Sequence, residues 1–132
     1  DAKKYKDLIR STGISDMLIE RTDFIPDDQV RYYLSACDGV IQPYRNATQS
    51  GVTPLAYHFE KPMIVTNVGS LPDLVPHNKV GLVCEPDPES LASAIKSFFE
   101  HDETHFLAGL RSEKEKYSWG NLVNALIEVA QP

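Results

Sequence analysis

Val40-Ile41-Gln42, then Pro43-Tyr44-Arg45-Asn46-Ala47-Thr48-Gln49-Ser50-Gly51-Val52, then Pro62-Met63-Ile64-Val65-Thr66, decide the fold. The first and last runs are apolar, β-branched and too short for helices, so they read as buried strands. Tyr44 to Ser50 is polar and reads as a loop, and Gly51 to Glu60 has a helical pattern. A strand that returns to its sheet through a loop and a helix runs parallel to its predecessor. Outward from this unit, Val80-Gly81-Leu82-Val83 is a third strand and Met17-Leu18-Ile19 an earlier one. Tyr5, Leu8 and Ile9 form an apolar stripe that stops at Gly13. Pro26-Asp27-Asp28 opens a helix that turns Val30, Tyr33 and Leu34 inward and ends at Asp38-Gly39. Pro86-Asp87-Pro88-Glu89 caps an amphipathic helix carrying Leu91, Ala94, Ile95, Phe98 and Phe99. A last helix runs through Trp119, Leu122, Val123, Leu126 and Ile127. Strands alternating with helices make this an α/β protein with a mainly parallel sheet, one domain over residues 1–132.

The bulk numbers narrow the partners. The chain has 132 residues and a formal net charge of −6, with 42% hydrophobic and 24% charged residues. An acidic chain without a basic face argues against nucleic acid or an anionic membrane as the main partner. No apolar run approaches the roughly 20 residues that span a bilayer. There is no signal peptide and the first residue is Asp1, so the chain reads as cut from something longer. Cys37 and Cys84 have no ligand spacing around them and read as buried thiols in a reducing compartment.

In parallel sheets, ligands bind outside the carboxyl ends of the strands, which selects the loops after Phe24, Gln42 and Val65. The loop after Gln42 carries the most chemistry. It enters a helix through small residues, so the N–H groups of Ser50, Gly51 and Val52 are unpaired donors at the helix's positive end. Such a start suits a phosphate or pyrophosphate. Gly51 lets a ligand approach the backbone, and Arg45 can add a charged contact or face solvent.

Pro43-Tyr44-Arg45, Ser50-Gly51, Lys61 to Asp73, Gly81-Leu82-Val83 and Pro86 to Leu91, in that order, resemble the C-terminal domain of family-four, GT-B retaining glycosyltransferases. Gly13 to Asp16, Phe24-Ile25, Tyr33 to Asp38 and Tyr117-Ser118-Trp119 match as well. The resemblance implies a Rossmann-like sheet, truncated at its N-terminus by two strand-and-helix units. It implies a donor-binding portion of an enzyme moving a sugar from a nucleotide-sugar to a glycan, lipid or polysaccharide precursor. The diphosphate would lie on Ser50, Gly51 and Val52, with sugar or nucleotide contacts from Tyr44, Arg45, Thr48, Gln49, Phe24, Ile25 and Gly69. No cofactor and no metal are implied, and no catalytic residue is assigned. A separate N-terminal domain would bind the acceptor. The implied setting is bacterial-type and cytoplasmic, with peripheral attachment to the inner membrane as an option for the full-length protein.

Two departures matter. The two glutamates that the family places around this helix fall on Ala47 and Leu55. Thr48 or Gln49 is left to replace the first. The missing units also carry the Arg and Lys that neutralise the leaving diphosphate, so the isolated chain is expected to be inactive. Their absence exposes two sheet edges, and either a homodimer or a rearranged first strand follows. Two other readings remain open: another GT-B enzyme such as a nucleotide-sugar epimerase, or a degenerate domain that binds a partner protein.

Four further signals carry bland readings. His101 and His105 are four apart, but Asp102 rather than Glu follows the first. His58 and His77 read as ordinary polar residues, and Asn46-Ala47-Thr48 as a surface loop.

Overall fold

The computed structural model describes residues 2–102 and 104–130. In chain order it runs α1 (Ala2–Thr12), α2 (Asp27–Ala36), β1 (Val40–Gln42), α3 (Val52–His58), β2 (Met63–Thr66), α4 (Leu71–Leu74), β3 (Gly81–Cys84), α5 (Pro88–Phe98), α6 (Leu107–Lys114) and α7 (Trp119–Ala130). Among the described residues no helix is long and apolar enough to cross a membrane.

The three strands form one parallel sheet in the order β1-β2-β3. Ile41 pairs with Ile64, and Ile64 with Leu82. All four residues of β2 are buried, as expected of a central parallel strand covered on both faces. The core holds Ala56 and Tyr57 of α3, Met63 and Val65 of β2, Leu71, Val75, Val80, Leu82, and Phe106 and Leu110 around α6. Gly81 must be glycine for packing, because a Cβ there would overlap the Met63 backbone. Helix α5 starts as its sequence predicts: the Asp87 carboxylate accepts the N–H groups of Glu89 (3.0 Å) and Ser90 (2.9 Å).

The N-terminal segment departs from the sequence reading. Met17, Leu18 and Ile19 do not form a strand; a 3-10 turn covers Ser15–Met17 and the chain then runs outside the sheet. A strand needs a ladder partner, and β1 is the edge of the sheet with β2 on its one paired side. The strand expected at Met17–Ile19 is thus not in place, and the β1 edge is without a strand partner among the described residues. Apolar side chains meant for burial are therefore exposed: Met17 is 82% and Ile19 86% accessible. The inward turn expected of Tyr33 is also not made, and it is 43% exposed. Helix α7 carries a similar open stripe of Trp119, Leu122, Val123, Leu126 and Ile127.

One buried charge ties α6 to the turn before β3. Glu113 is buried, and its carboxylate meets Lys116 at 2.6 Å and the Lys79 ammonium beside it. The hydrogen bonds from Lys116 and then Lys79 hold the Glu113 carboxyl below its ordinary value of 4.5. A carboxyl depressed in the folded state stabilises the fold above its unfolded value, and that contribution is lost as pH falls through the folded one. Glu60 shifts the same way through Arg111, so the wild-type trend alone does not isolate Glu113. Glu113→Gln should cost about 1–2 kcal/mol at pH 7, the lysines being partly solvated. The gap in melting temperature between wild type and variant should shrink as pH drops below 4.5. Thermal melts from pH 7 to 3 check this; a gap that stays constant with pH would assign the loss to packing.

Candidate functional site

The loops after β1 and β2 leave the sheet at the same rim, because parallel strands end on one side. Hydrogen bonds fasten them together. The Thr66 hydroxyl, at the end of β2, donates to the Tyr44 carbonyl at 2.6 Å and lies 3.4 Å from that of Gln42. Ser70 donates both its N–H (3.3 Å) and its hydroxyl to the Thr48 carbonyl. Gly69, at φ +55°, sits directly against the Ala47 carbonyl, leaving no room for a Cβ. Beneath the loop, the buried Gln42 carboxamide pairs with the Thr53 hydroxyl at 3.2 Å, joining β1 to the first turn of α3.

These contacts wall a cavity of about 560 Å³ lined by Tyr44, Asn46, Ala47, Thr48, Gln49, Val68 and Gly69. Four sequence-selected residues, Tyr44, Thr48, Gln49 and Gly69, therefore meet in one place. The lining carries no charged side chain, although the chain as a whole is at −6. Asn46 and Val68 join the lining without having been selected as contacts. Their neighbours in sequence, Arg45 and Gly69, had been, and that adjacency was the available signal. Ser50, Gly51, Val52, Arg45, Phe24 and Ile25 do not line the cavity: the first three follow its lining residue Gln49 in the chain, Arg45 is exposed, and the Phe24 ring is 86% accessible.

The start of α3 differs in detail from a row of free donors. The Ser50 hydroxyl accepts the Val52 N–H at 3.2 Å and sits 3.3 Å from the Tyr44 hydroxyl. One of the three selected N–H groups is thus already engaged, because serine just before a helix competes for its first donors. The N–H groups of Ser50 and Gly51 have no acceptor among the described residues. Gly51 lies at φ −66°, and a Cβ there would meet nothing within 4 Å. Neither packing nor backbone conformation requires glycine at this position.

Ala47 is half-buried beside Gly69, and Leu55 is 41% exposed on α3. Neither supplies a polar atom from its side chain. Among the described residues no cluster of His, Cys, Asp and Glu is suited to hold a metal ion. His101 and His105 stack on each other, ring centroids 4.2 Å apart. His77 does more than face solvent: its Nδ1 accepts the Val83 N–H at 2.9 Å, which puts the ring proton on Nε2. Cys37 and Cys84 are both free, Cys84 buried and Cys37 only partly so. Burial pushes the Cys84 thiol up, with smaller contributions from Asp87 and Glu85.

A parallel sheet with flanking helices and a cavity at its carboxyl rim defines a Rossmann-like domain of the GT-B type. Residues 1–101 match the family model for glycosyl transferases group 1, and the chain belongs to that family. Human alpha-1,3/1,6-mannosyltransferase ALG2 is 33% identical over 96 residues, which covers 70% of this chain and 23% of that protein. The sucrose-phosphate synthase of Thermosynechococcus elongatus shares the fold with a TM-score of 0.80 at 19% identity. That match covers 97% of this chain and 33% of the synthase. The chain thus spans about a quarter to a third of the length of these two proteins.

The contact between Gly69 and Ala47 makes a sharp test of the cavity's construction. Gly69→Ala adds a left-handed penalty of about 1–2 kcal/mol and an overlap with a carbonyl oxygen. The expected result is a loss of at least about 2 kcal/mol in denaturant unfolding. Amide shifts should concentrate at 46–49. An unchanged unfolding midpoint would mean that the two loops are not in contact.

Proposed function

We propose that the cavity at the sheet rim binds the nucleotide-sugar donor of a glycosyltransferase, with the donor diphosphate on the free N–H groups of Ser50 and Gly51. The observation that carries this reading is Gly51. Its backbone is ordinary and its surroundings are open, which leaves room for a ligand to approach the main chain there. Unpaired N–H groups ahead of a helix attract an anion. The uncharged lining of Tyr44, Asn46, Thr48 and Gln49 suits the hydroxyl-rich remainder of the donor. Arg45 lies in the same loop with its side chain exposed.

In this reading residues 1–132 are one partial donor-binding domain, and the acceptor is held by another part of a longer chain. Transfer would depend on electrostatic support of the leaving diphosphate, of which this chain supplies only a share. Sugar transfer by these 132 residues alone is therefore not expected. The open β1 edge pairs two copies into a homodimer at high concentration, and light scattering should then return twice the 14.8 kDa mass.

The donor reading is tested by titrating UDP, GDP and ADP into the chain while following amide NMR. One nucleotide should shift Ser50 and Gly51, with a dissociation constant on the order of 1 mM because part of the pocket is absent. Gly51→Ala should leave the fold as stable or stabilise it by about 0.4–1 kcal/mol. It should also weaken that nucleotide several-fold. If all three nucleotides leave those amides unmoved, a second reading leads: a partner-binding module, favoured by Leu55 standing exposed on α3 and by Ala47 in the cavity wall.

A further inference from the structure

We propose that Thr66 is the positioning residue of the donor cavity, acting through the Tyr44 carbonyl; the inference rests on the donor reading above. Thr66 is 2% exposed and does not line the cavity, so it acts on a ligand only through what it holds. Its hydroxyl has one proton to give. The 2.6 Å contact to the Tyr44 carbonyl takes it, and the 3.4 Å contact to Gln42 is secondary.

Tyr44 stands where the loop leaves β1, and it does two jobs. Tyr44 lines the cavity, and its hydroxyl reaches Ser50, whose own oxygen holds the Val52 N–H. A displacement of the Tyr44 backbone therefore moves one wall of the cavity and the Ser50 side chain together. Thr66 is itself fixed: it ends the central strand, it pairs with Cys84 across the ladder, and its carbonyl accepts the Val68 N–H at 2.8 Å. The central, fully buried strand of the sheet thus sets the position of the binding loop through one hydroxyl. The second fastening, from Ser70 to Thr48, uses a backbone N–H as well as a hydroxyl. Removing the Ser70 hydroxyl leaves a bond behind; removing that of Thr66 leaves the Tyr44 carbonyl with no donor among the described residues.

The experiment compares Thr66→Val, Thr66→Ser and Tyr57→Phe in the same chain. Tyr57→Phe deletes a buried hydrogen bond at the far end of α3, where the Tyr57 hydroxyl donates to the Leu74 carbonyl at 2.7 Å. Each variant is titrated with UDP, GDP and ADP by amide NMR, and its melting temperature is recorded. Thr66→Val should weaken the bound nucleotide about tenfold, and Thr66→Ser and Tyr57→Phe by no more than about twofold. Should the valine variant fail to fold, Thr66→Ala removes the same hydroxyl without adding a methyl group. Equal binding by wild type and Thr66→Val overturns the proposal, and so does an equal loss in Tyr57→Phe. If the wild type binds none of the three nucleotides, the donor reading fails. The positioning claim is then read from the unliganded spectra: Thr66→Val should move the amides of Asn46 to Gln49 and Thr66→Ser should not. Unmoved amides there overturn it.

Discussion

The parallel pairing of β2 with a strand on each side is the constraint from which the rest of this structure follows. A parallel strand cannot turn back into its neighbour, so each must leave at the rim, cross a face of the sheet and re-enter from the other end. Both loops that matter therefore emerge side by side, after Gln42 and after Thr66. The crossings are made by α3 and by the short α4 with its following turn, which place Ala56, Tyr57, Leu71 and Val75 over the strands. Buried along its whole length and paired on both sides, β2 is the natural reference against which a binding loop is held.

What is built on that reference is a small set of polar contacts in a mostly apolar setting. Gln42 and Thr53 satisfy each other below the loop, Thr66 and Ser70 hold its carbonyls, and Gly69 gives it room. Buried polar groups of this kind must all be matched, and no buried side-chain nitrogen or oxygen among the described residues is left without a partner. The loop's conformation is thus held by the protein's own contacts. Ala47 is part of the cavity wall, and none of the side chains that line it is charged.

The central strands and α5 were legible in the sequence because local signals agreed: β-branched runs bounded by Pro and Gly, and an aspartate placed to cap. The loop after Gln42 was legible for the same reason, and three of its selected contacts, Tyr44, Thr48 and Gln49, share the cavity with Gly69 from the loop after β2. Met17-Leu18-Ile19 failed because a strand is not a local property. Its composition is right, but no ladder is within reach. The role of Ser50 was missed because a serine before a helix can free its neighbours' N–H groups or occupy one, and only geometry decides. Thr66 could not be singled out either. A threonine ending a buried strand reads as β-propensity until the carbonyl it faces is known.

The uncovered apolar side chains of the N-terminal segment and of α7 change how this protein would be recognised at the bench. Trp119 at 81% exposure, Ile19 at 86% and the stripe from Leu122 to Ile127 belong to the folded state itself. Apolar patches of that kind bind fluorescent dyes such as ANS and are retained on hydrophobic resins. In most domains those behaviours mark a loosened core. Here they would accompany an intact one, and a preparation that lost them would be the one to suspect of having stuck to itself.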